Sequence, residues 1–330
     1  MIESEGRAQA GLVLKKTGET CQGVTRIANE HCGGDPMGKQ KYVRCSLRSI
    51  AKRIGTISHE TVRNLLKDAG YALRVNVKRI SGKSHPDRDA QFRHIQKRRK
   101  QFQKRGCPTI SVDTKKTELI GNFKNNGALW GDEPNEVNMY DFPSDAECRA
   151  IPYGVYDTSR NEGHVCVGTE ADTPKFAVNS IRNWWRRLGC KHYSHASELF
   201  VEADGGGSNG YRPRLWKYEL QQFANETGMK IHVCHYPPGA SKWNPIEHRL
   251  FGPISMNWSG QPLRSMRLML SAIRGTTNKG NLSVTAERDR RKYKTKIKVD
   301  DEIMDSLNLT RSKACSNWNY TISPQLECGQ

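Results

Sequence analysis

The fold of this chain is decided by the stretch Leu199-Phe-Val-Glu-Ala-Asp-Gly-Gly-Gly-Ser-Asn-Gly210. Its apolar beginning predicts a short buried strand, and Asp204 follows directly where that strand ends. Three glycines come next, and they remove side chains where a backbone or a phosphate group must come close. An acid at the carboxyl end of a strand is typical of sites in α/β sheets. The competing interpretation is an Asp that only begins a turn.

A second predicted strand, Thr109-Ile-Ser-Val-Asp113, ends in the same way at an acid. Glu118–Phe123 is expected to be its hairpin partner. From residue 107 onward, strand and helix patterns alternate, which predicts an α/β domain. Adjacent strands that end on one edge of a sheet would bring Asp113 and Asp204 together.

A third acid, Glu247, stands in Lys242-Trp-Asn-Pro-Ile-Glu247. Asn244 is expected to cap a helix that begins here and continues through Leu250. A glutamate at this position often bonds back to the capping residue, which is the structural alternative for Glu247.

Asp113, Asp204 and Glu247 are the predicted catalytic and metal-binding residues. Cleaving a phosphodiester requires an activated nucleophile and a stabilised leaving group, and two divalent ions about 3.5–4 Å apart serve both needs. Mg²⁺ takes oxygen ligands and keeps several waters, so a few carboxylates suffice to hold it. The sequence therefore predicts a site for two Mg²⁺ or Mn²⁺ ions. Two further acids, Asp157 and Glu202, are interpreted as structural.

The chain is strongly basic: 53 Lys and Arg stand against 34 Asp and Glu, a formal net charge of +19 over 330 residues. Such a charge attracts phosphates, and because basic residues recur along the whole chain we favour nucleic-acid binding over a merely soluble basic protein. No apolar run approaches the roughly 18 residues of a membrane span, and the N-terminus does not resemble a secretory signal. A cytoplasmic protein without a membrane partner is expected.

The ten cysteines include no Cys-x-x-Cys pair and are interpreted as reduced, mostly buried thiols. Two clusters of cysteine and histidine could together bind zinc, although their spacing matches no standard pattern. Core packing is the favoured interpretation of both. Their members are Cys190, His192 and His195 in the first and His232, Cys234 and His235 in the second.

Two short amphipathic helices are predicted within residues 46–70. Apolar residues recur at i, i+3, i+4 and i+7 from Leu47 and again from Val62, Gly55 separates the two runs, and Ser58 can cap the second helix. We favour a DNA-binding helix-turn-helix over an ordinary helical hairpin, because of the overall charge. The second helix would present five side chains to a DNA major groove: His59, Thr61, Arg63, Asn64 and Lys67.

The remaining segments complete the predicted organisation. In order, these are a poorly ordered or truncated segment over 1–40, a helix-turn-helix domain over 41–83 with an optional extended wing at 74–83, a basic linker helix over 84–106, the α/β domain over 107–275 and a basic C-terminal extension over 276–330. Basic side chains beside the acids are further candidate DNA contacts, namely Lys115, Lys116, Lys242, His248 and Arg249.

Three long segments resemble those of the ISAzo-type bacterial insertion-sequence transposases. They are Asp113-Thr-Lys-Lys-Thr-Glu-Leu-Ile-Gly-Asn-Phe-Lys-Asn, Ala203-Asp-Gly-Gly-Gly-Ser-Asn-Gly-Tyr-Arg and Pro237-Pro-Gly-Ala-Ser-Lys-Trp-Asn-Pro-Ile-Glu-His-Arg-Leu-Phe. The Asn-Pro-Ile-Glu element is also similar to the third-acid motif of mariner-type enzymes. The resemblance runs from about Gly34 to Ile322. It implies a DDE enzyme with a ribonuclease H-like mixed sheet flanked by helices, preceded by an all-α helix-turn-helix domain.

The same resemblance implies that Asp113, Asp204 and Glu247 are the metal-binding acids of a DNA transposase. Such an enzyme would bind the terminal repeats of its element, hydrolyse double-stranded DNA to free a 3′-hydroxyl, and direct that hydroxyl at target DNA. Because two element ends must be joined, a homodimer or larger assembly is expected on DNA. Two alternatives stay open: a truncated, inactive copy that binds DNA as a repressor, and a ribonuclease H-like nuclease acting on RNA–DNA hybrids.

Overall fold

A computed structural model describes residues 20–28, 30, 32–33, 42–43, 45–73 and 85–325. The chain divides into two compact units, Met1–Ile80 and Ser81–Gln330. The predicted wing at 74–83 and residues 1–19 lie outside the described part. Every helix of the described residues is too short or too polar to span a bilayer.

The first unit contains three helices among its described residues. Helix α1 covers residues 20–28, which fall in the segment 1–40 predicted to be poorly ordered or truncated. It packs with α2 (Leu47–Ile54) and α3 (His59–Asp68). The short strands β1 (Cys32–Gly33) and β2 (Tyr42–Val43) pair antiparallel.

The turn between α2 and α3 follows from local sequence. Gly55 ends α2 with a φ of 79°, a left-handed conformation that suits a residue without Cβ. The hydroxyl of Ser58 then accepts the amide of Thr61 at 3.1 Å, which satisfies a free donor at the start of α3. Buried Ile50 and Val62 hold the two helices together. The two predicted amphipathic helices and the turn between them are therefore formed.

The second unit is built on a mixed sheet of nine strands among the described residues. They are β3 (Thr109–Thr114), β4 (Glu118–Ile120), β5 (Cys148–Asp157), β6 (Glu162–Gly168), β7 (Glu198–Ala203), β8 (Lys230–His235), β9 (Ser283–Arg288), β10 (Leu309–Arg311) and β11 (Asn319–Ile322). The order is β10-β11-β8-β7-β3-β5-β6-β9, and β4 pairs with β5. Within it, β6, β5 and β3 are antiparallel neighbours, while β3, β7 and β8 run parallel. This is a ribonuclease H-like sheet.

Helices cover both faces of this sheet. They are α4 (Arg88–Lys104), α5 (Pro174–Trp184), α6 (Cys190–His192), α7 (Arg214–Thr227), α8 (Gly252–Asn257), α9 (Met266–Arg274) and α10 (Asp301–Ser306), with π-helical turns at Trp185–Gly189 and Glu247–Phe251. One core joins α5 and α7 to the sheet, through residues such as Val112 and Trp216. A second core joins α8, α9 and the Glu247–Phe251 turn to the opposite face.

Two expectations about the second unit require correction, one about the pairing of a strand and one about the C-terminal segment. Glu118–Ile120 pairs with β5 and not with the strand that ends near Asp113, because β5 and β7 occupy both edges of β3. The segment after residue 275 is also more than an extension, since β9, β10 and β11 all pair within the main sheet.

Helix α4, expected as a linker, packs on the sheet. The side-chain amide of Gln91 is fully buried and donates to the carbonyl of His235 at 2.8 Å. It also exchanges hydrogen bonds with Asn319 on β11, at 2.6 and 2.7 Å. Phe102 stacks on Phe200 of β7 with a centroid separation of 5.0 Å. Polar and aromatic contacts together fix α4 over β7, β8 and β11.

Candidate active site

Asp113, Asp204 and Glu247 come together at one edge of the sheet. β3 and β7 are parallel neighbours, so Asp113 near the end of β3 and Asp204 directly after β7 lie at the same edge. Glu247 is the first residue of the Glu247–Phe251 turn. Burial, followed by the charge of Asp204, raises the pKa of both Asp113 and Glu247. The three carboxylates are therefore close enough to repel one another.

A fourth carboxylate, Asp172, belongs to this cluster and was missed from the sequence. The hydroxyl of Thr114 donates to Asp172 Oδ1 at 3.2 Å, and the charge of Asp172 contributes to the raised pKa of Asp113. Burial raises the pKa of Asp172 itself, against hydrogen bonds from Ser208 and Thr114. Asp172 directly precedes the capping residue of α5, where acids commonly favour the helix dipole, so the sequence offered no distinctive signal.

None of these four acids forms a salt bridge with any described residue. Asp113 Oδ1 accepts only the amide of the next residue, Thr114, at 2.8 Å. Glu247 makes no side-chain hydrogen bond back to Asn244 within the described structure, so the helix-capping alternative does not explain it. Four partly buried carboxylates without a salt bridge are unfavourable unless a further positive charge joins them.

Two other buried acids have protein partners. Glu202 is fully buried and receives a forked hydrogen bond from Arg99, together with the hydroxyl of Tyr236 at 2.9 Å. Asp157 accepts the hydroxyl of Tyr193 at 2.7 Å and two backbone amides. Both carboxylates are satisfied by the fold, in contrast to the four at the sheet edge.

The four acids have the donor chemistry that suits a divalent metal. Their donor atoms are all carboxylate oxygens, which are the ligands of Mg²⁺ and Mn²⁺. The buried hydroxyl of Tyr153 has no hydrogen-bond partner in the described structure, and the charges of Asp113 and Asp172 contribute to raising its pKa. An orphaned polar atom beside unpaired carboxylates is consistent with a site that is completed by bound ions and their waters.

The turn that carries Glu247 is tied to β3 by the preceding Asn. The hydroxyl of Ser111 donates to the side-chain oxygen of Asn244, and in turn accepts the amide of Ile246 at 3.1 Å. The amide of Asn244 donates to the carbonyl of Val112 at 3.2 Å. These buried bonds explain why an Asn stands three residues before Glu247.

The glycines after Asp204 serve three different purposes. A Cβ on Gly205 would lie 2.7 Å from the carbonyl oxygen of Tyr236, so a side chain is excluded there. Gly207 has a φ of 71°, which is left-handed. A Cβ on Gly206 would meet no atom within 4 Å, which leaves open space beside the acids. Asn209 then ties the loop to β3, donating to the carbonyl of Val112 at 3.4 Å.

His235 holds the backbone of Asp204. The indole N–H of Trp216 donates to the hydroxyl of Tyr320 at 2.9 Å, so that hydroxyl donates its own proton to Nε2 of His235 at 3.0 Å. The remaining ring proton lies on Nδ1 and is donated to the carbonyl of Asp204 at 3.0 Å. Burial lowers the pKa of His235 to about 4, which keeps the ring neutral.

The predicted DNA contacts differ in exposure. Lys115 is buried: its ammonium bonds Glu118 at 2.7 Å and lies 4.7 Å from the ring of Trp258, so it does not offer the free phosphate contact expected from the sequence. The other four basic residues beside the acids are exposed: Lys116, Lys242, His248 and Arg249. The five side chains predicted on the second helix are exposed on α3 as well: His59, Thr61, Arg63, Asn64 and Lys67.

The two clusters considered for zinc do not meet. Nε2 of His192 lies 3.0 Å from Glu162, and His232 contacts Glu198 and Thr321. Both ring nitrogens of His235 are engaged as described above. Core packing holds for Cys234 and His235 of the second cluster, whereas it is wrong for the first, because Cys190, His192 and His195 lie on the surface.

The chain is similar to several solved structures. One is the Mos1 transposase paired-end complex with the left transposon end, at 11% sequence identity and a TM-score of 0.42, over 75% of this chain and 67% of that chain. Another is the Mos1 strand transfer complex, at 13% identity and a TM-score of 0.42, also over 75% of this chain and 67% of that chain. A paired-end complex with Mg matches at 13% identity and a TM-score of 0.43, over 68% of this chain and 64% of that chain. No match was found among curated proteins.

A family comparison gives the decisive assignment. Residues 23–324 match the family described as the Rhodopirellula transposase DDE domain. This range includes all four acids and both cores of the sheet. The chain therefore belongs to the Rhodopirellula transposase DDE domain family.

Proposed function

We propose that this chain is a transposase that cleaves DNA at the ends of its element and transfers the freed strand to target DNA. The observation that carries this proposal is the cluster of Asp113, Asp204 and Glu247, in which burial and the charge of Asp204 raise the pKa of Asp113 and of Glu247, without a salt bridge in the described structure. Membership of a transposase family supports the same conclusion.

Asp113, Asp204 and Glu247 would hold the divalent ions, with Asp172 beside them. When bound, Mg²⁺ or Mn²⁺ would supply activation of the attacking oxygen and stabilisation of the leaving oxygen, which is the usual role of two ions in phosphodiester chemistry. The protein's own contribution is to fix the carboxylates: Asn244 holds the Glu247 turn and His235 holds Asp204. The open space at Gly206 admits a DNA backbone next to the acids.

DNA would be held by two sets of exposed side chains. On α3, Arg63 and Asn64 belong to the face that we propose enters the major groove of the terminal repeat. Near the acids, Lys116, Lys242 and Arg249 would contact phosphates. Joining two element ends requires two copies of the site, so we propose a homodimer or larger assembly on DNA.

The proposal is tested with the purified chain and a duplex that carries the terminal repeat flanking its own gene. In Mg²⁺ or Mn²⁺ we expect nicks at the element boundary that leave 3′-hydroxyls, and strand transfer to a target plasmid. Asp204→Asn should abolish both reactions and preserve binding to the duplex. Binding without cleavage in either metal would instead indicate a repressor, and preferential cleavage of an RNA–DNA hybrid would indicate a nuclease.

A further inference from the structure

A second cluster of metal-ligand side chains lies between β6 and β9. His164 and Cys166 are two residues apart on β6, so they share one face of the sheet. Glu287 on the parallel strand β9 is the register partner of Cys166. His164 Nε2 lies 3.4 Å from both Cys166 Sγ and Glu287 Oε1, and Sγ lies 3.7 Å from that oxygen. Three different ligand atoms are thus already gathered within 4.8 Å of one another.

A hydrogen bond orients His164 for ligation. The hydroxyl of Thr285 donates to the carbonyl of Gly163 at 3.3 Å, so it accepts a proton from Nδ1 of His164 at 2.8 Å. With that proton on Nδ1, the lone pair of Nε2 is the one available to a metal, and Nε2 is the nitrogen beside Cys166 and Glu287. Metal-binding histidines commonly show such an outer bond.

A cleft and two polar side chains lie beside the cluster. The guanidinium of Arg187 forms an ion pair with the other carboxylate oxygen of Glu287, Oε2, and leaves Oε1 facing His164 and Cys166. Asn183 donates to Cys166 Sγ at 3.6 Å. A cleft of about 390 Å³ reaches the cluster at Glu287, and the rest of its lining is Asn183, Asp289, Arg186, Arg187, Arg288 and Arg291. The cleft provides a path for an ion and space for a solvent ligand.

We propose that His164, Cys166 and Glu287 bind one Zn²⁺, with solvent from the cleft in the fourth position. A thiolate and an imidazole favour zinc over Mg²⁺ or Mn²⁺, whereas the carboxylate cluster at the sheet edge, with oxygen ligands alone, favours Mg²⁺ or Mn²⁺. On binding, bonds form from zinc to Sγ, Nε2 and one carboxylate oxygen, and the thiol proton of Cys166 is released to solvent. The ion would fasten the edge strand β9 to β6.

The test uses the full-length chain loaded with Zn²⁺, desalted and analysed for metal content, followed by replacement with Co²⁺. We expect about one zinc per chain to remain and the Co²⁺ form to show a thiolate charge-transfer band. Cys166→Ser should remove the band and weaken zinc binding more than 100-fold. Thr285→Val removes no metal ligand but takes away the outer bond to His164, together with the bond from Thr285 to the carbonyl of Gly163, and should weaken binding by about 10–100-fold.

Cys234→Ser is the matched control, because Cys234 is an equally buried cysteine on another strand of the same sheet. It should leave metal content and the band unchanged. If Cys166→Ser fails to fold, Glu287→Gln at the partly exposed edge should still lower zinc affinity. Wild-type protein that retains no zinc, or a Co²⁺ band that survives Cys166→Ser, would overturn the proposal. Either result leaves the transposase proposal unaffected, since that rests on other residues.

Discussion

The hydroxyl of Ser111 donates a hydrogen bond to the side-chain oxygen of Asn244, and this buried bond connects the strand of Asp113 to the turn of Glu247. The same Asn244 donates to the carbonyl of Val112. Two acids that are far apart in sequence therefore share a rigid connection that contains no charged group. The separation between Asp113 and Glu247 depends on Asn244 more than on any contact that the acids make themselves.

Replacing Asn244 by alanine should damage catalysis without removing a ligand. Asn244→Ala removes one hydrogen-bond partner from the hydroxyl of Ser111 and one from the carbonyl of Val112. This loss should lower the free energy of unfolding by about 1–3 kcal/mol. A shift of Glu247 by about 1 Å should lower the cleavage rate by roughly 100-fold. Urea unfolding and single-turnover cleavage measure the two effects. Asn257→Ala, at an exposed asparagine, is the control, and an equal loss in both variants would argue against this role.

Neutralising Asp113 should stabilise the metal-free protein. Burial and the charge of Asp204 raise the pKa of Asp113 well above its usual value, so the ionised group destabilises the folded state above that pKa. At pH 7, Asp113→Asn should raise the free energy of unfolding in EDTA by about 0.5–2 kcal/mol, as often happens when a strained functional residue is relieved. Added Mg²⁺ should raise the melting temperature of the wild type more than that of the variant. A variant less stable than wild type in EDTA would contradict the described repulsion.

Acid should weaken the fold partly through His235. Its pKa falls from about 6.5 to about 4 on burial, so between these values the unfolded chain binds more protons than the folded one. The free energy of unfolding should therefore decrease as the pH falls from about 6.5 to about 4, and this contribution should level off below. His232, whose pKa is also lowered to about 4 by burial, adds to the same slope. Urea titrations of His235→Gln should show a shallower slope over this range, and an unchanged slope would exclude the assignment.

The ion pair of Arg99 with Glu202 should matter for stability alone. Arg99→Ala leaves the fully buried Glu202 without its cation, and a cost of about 3–5 kcal/mol in the free energy of unfolding is expected. Arg93→Ala, on the exposed side of the same helix, should change stability by less than about 0.5 kcal/mol. Glu202→Gln should retain cleavage under conditions where it is folded. Complete loss of cleavage in folded Glu202→Gln would instead make Glu202 part of the active site.

The sequence predicted the features that depend on local pattern. Ser58 and Gly55 identified the helix pair, and strands ending at Asp113 and Asp204 followed from apolar runs. The features it missed depend on distant pairing. Whether β4 joins β3 or β5 depends on which edge of β3 is free, and that is decided by β7 much later in the chain.

Side-chain partners were also beyond the sequence pattern. Lys115 looked like an exposed phosphate contact, because a lysine beside an acid gives no sign that Trp258 will cover it. Asp172 looked like an ordinary residue before a helix, and its approach to Asp113 results from the position of β6 in the sheet. The His164, Cys166 and Glu287 cluster required the register of β6 with β9.

The role of the carboxylates at the sheet edge is best tested by comparing two aspartates of the same sheet. Asp113 has no cation partner in the described structure, whereas Asp157 is held by Tyr193 and backbone amides. Binding and nicking of element-end DNA in Mg²⁺ and in Mn²⁺ should be measured side by side for Asp113→Asn, Asp157→Asn and wild type. We predict that Asp113→Asn binds DNA normally but makes no nicks, while folded Asp157→Asn still nicks at the element boundary. Nicking by Asp113→Asn at the wild-type rate would contradict it.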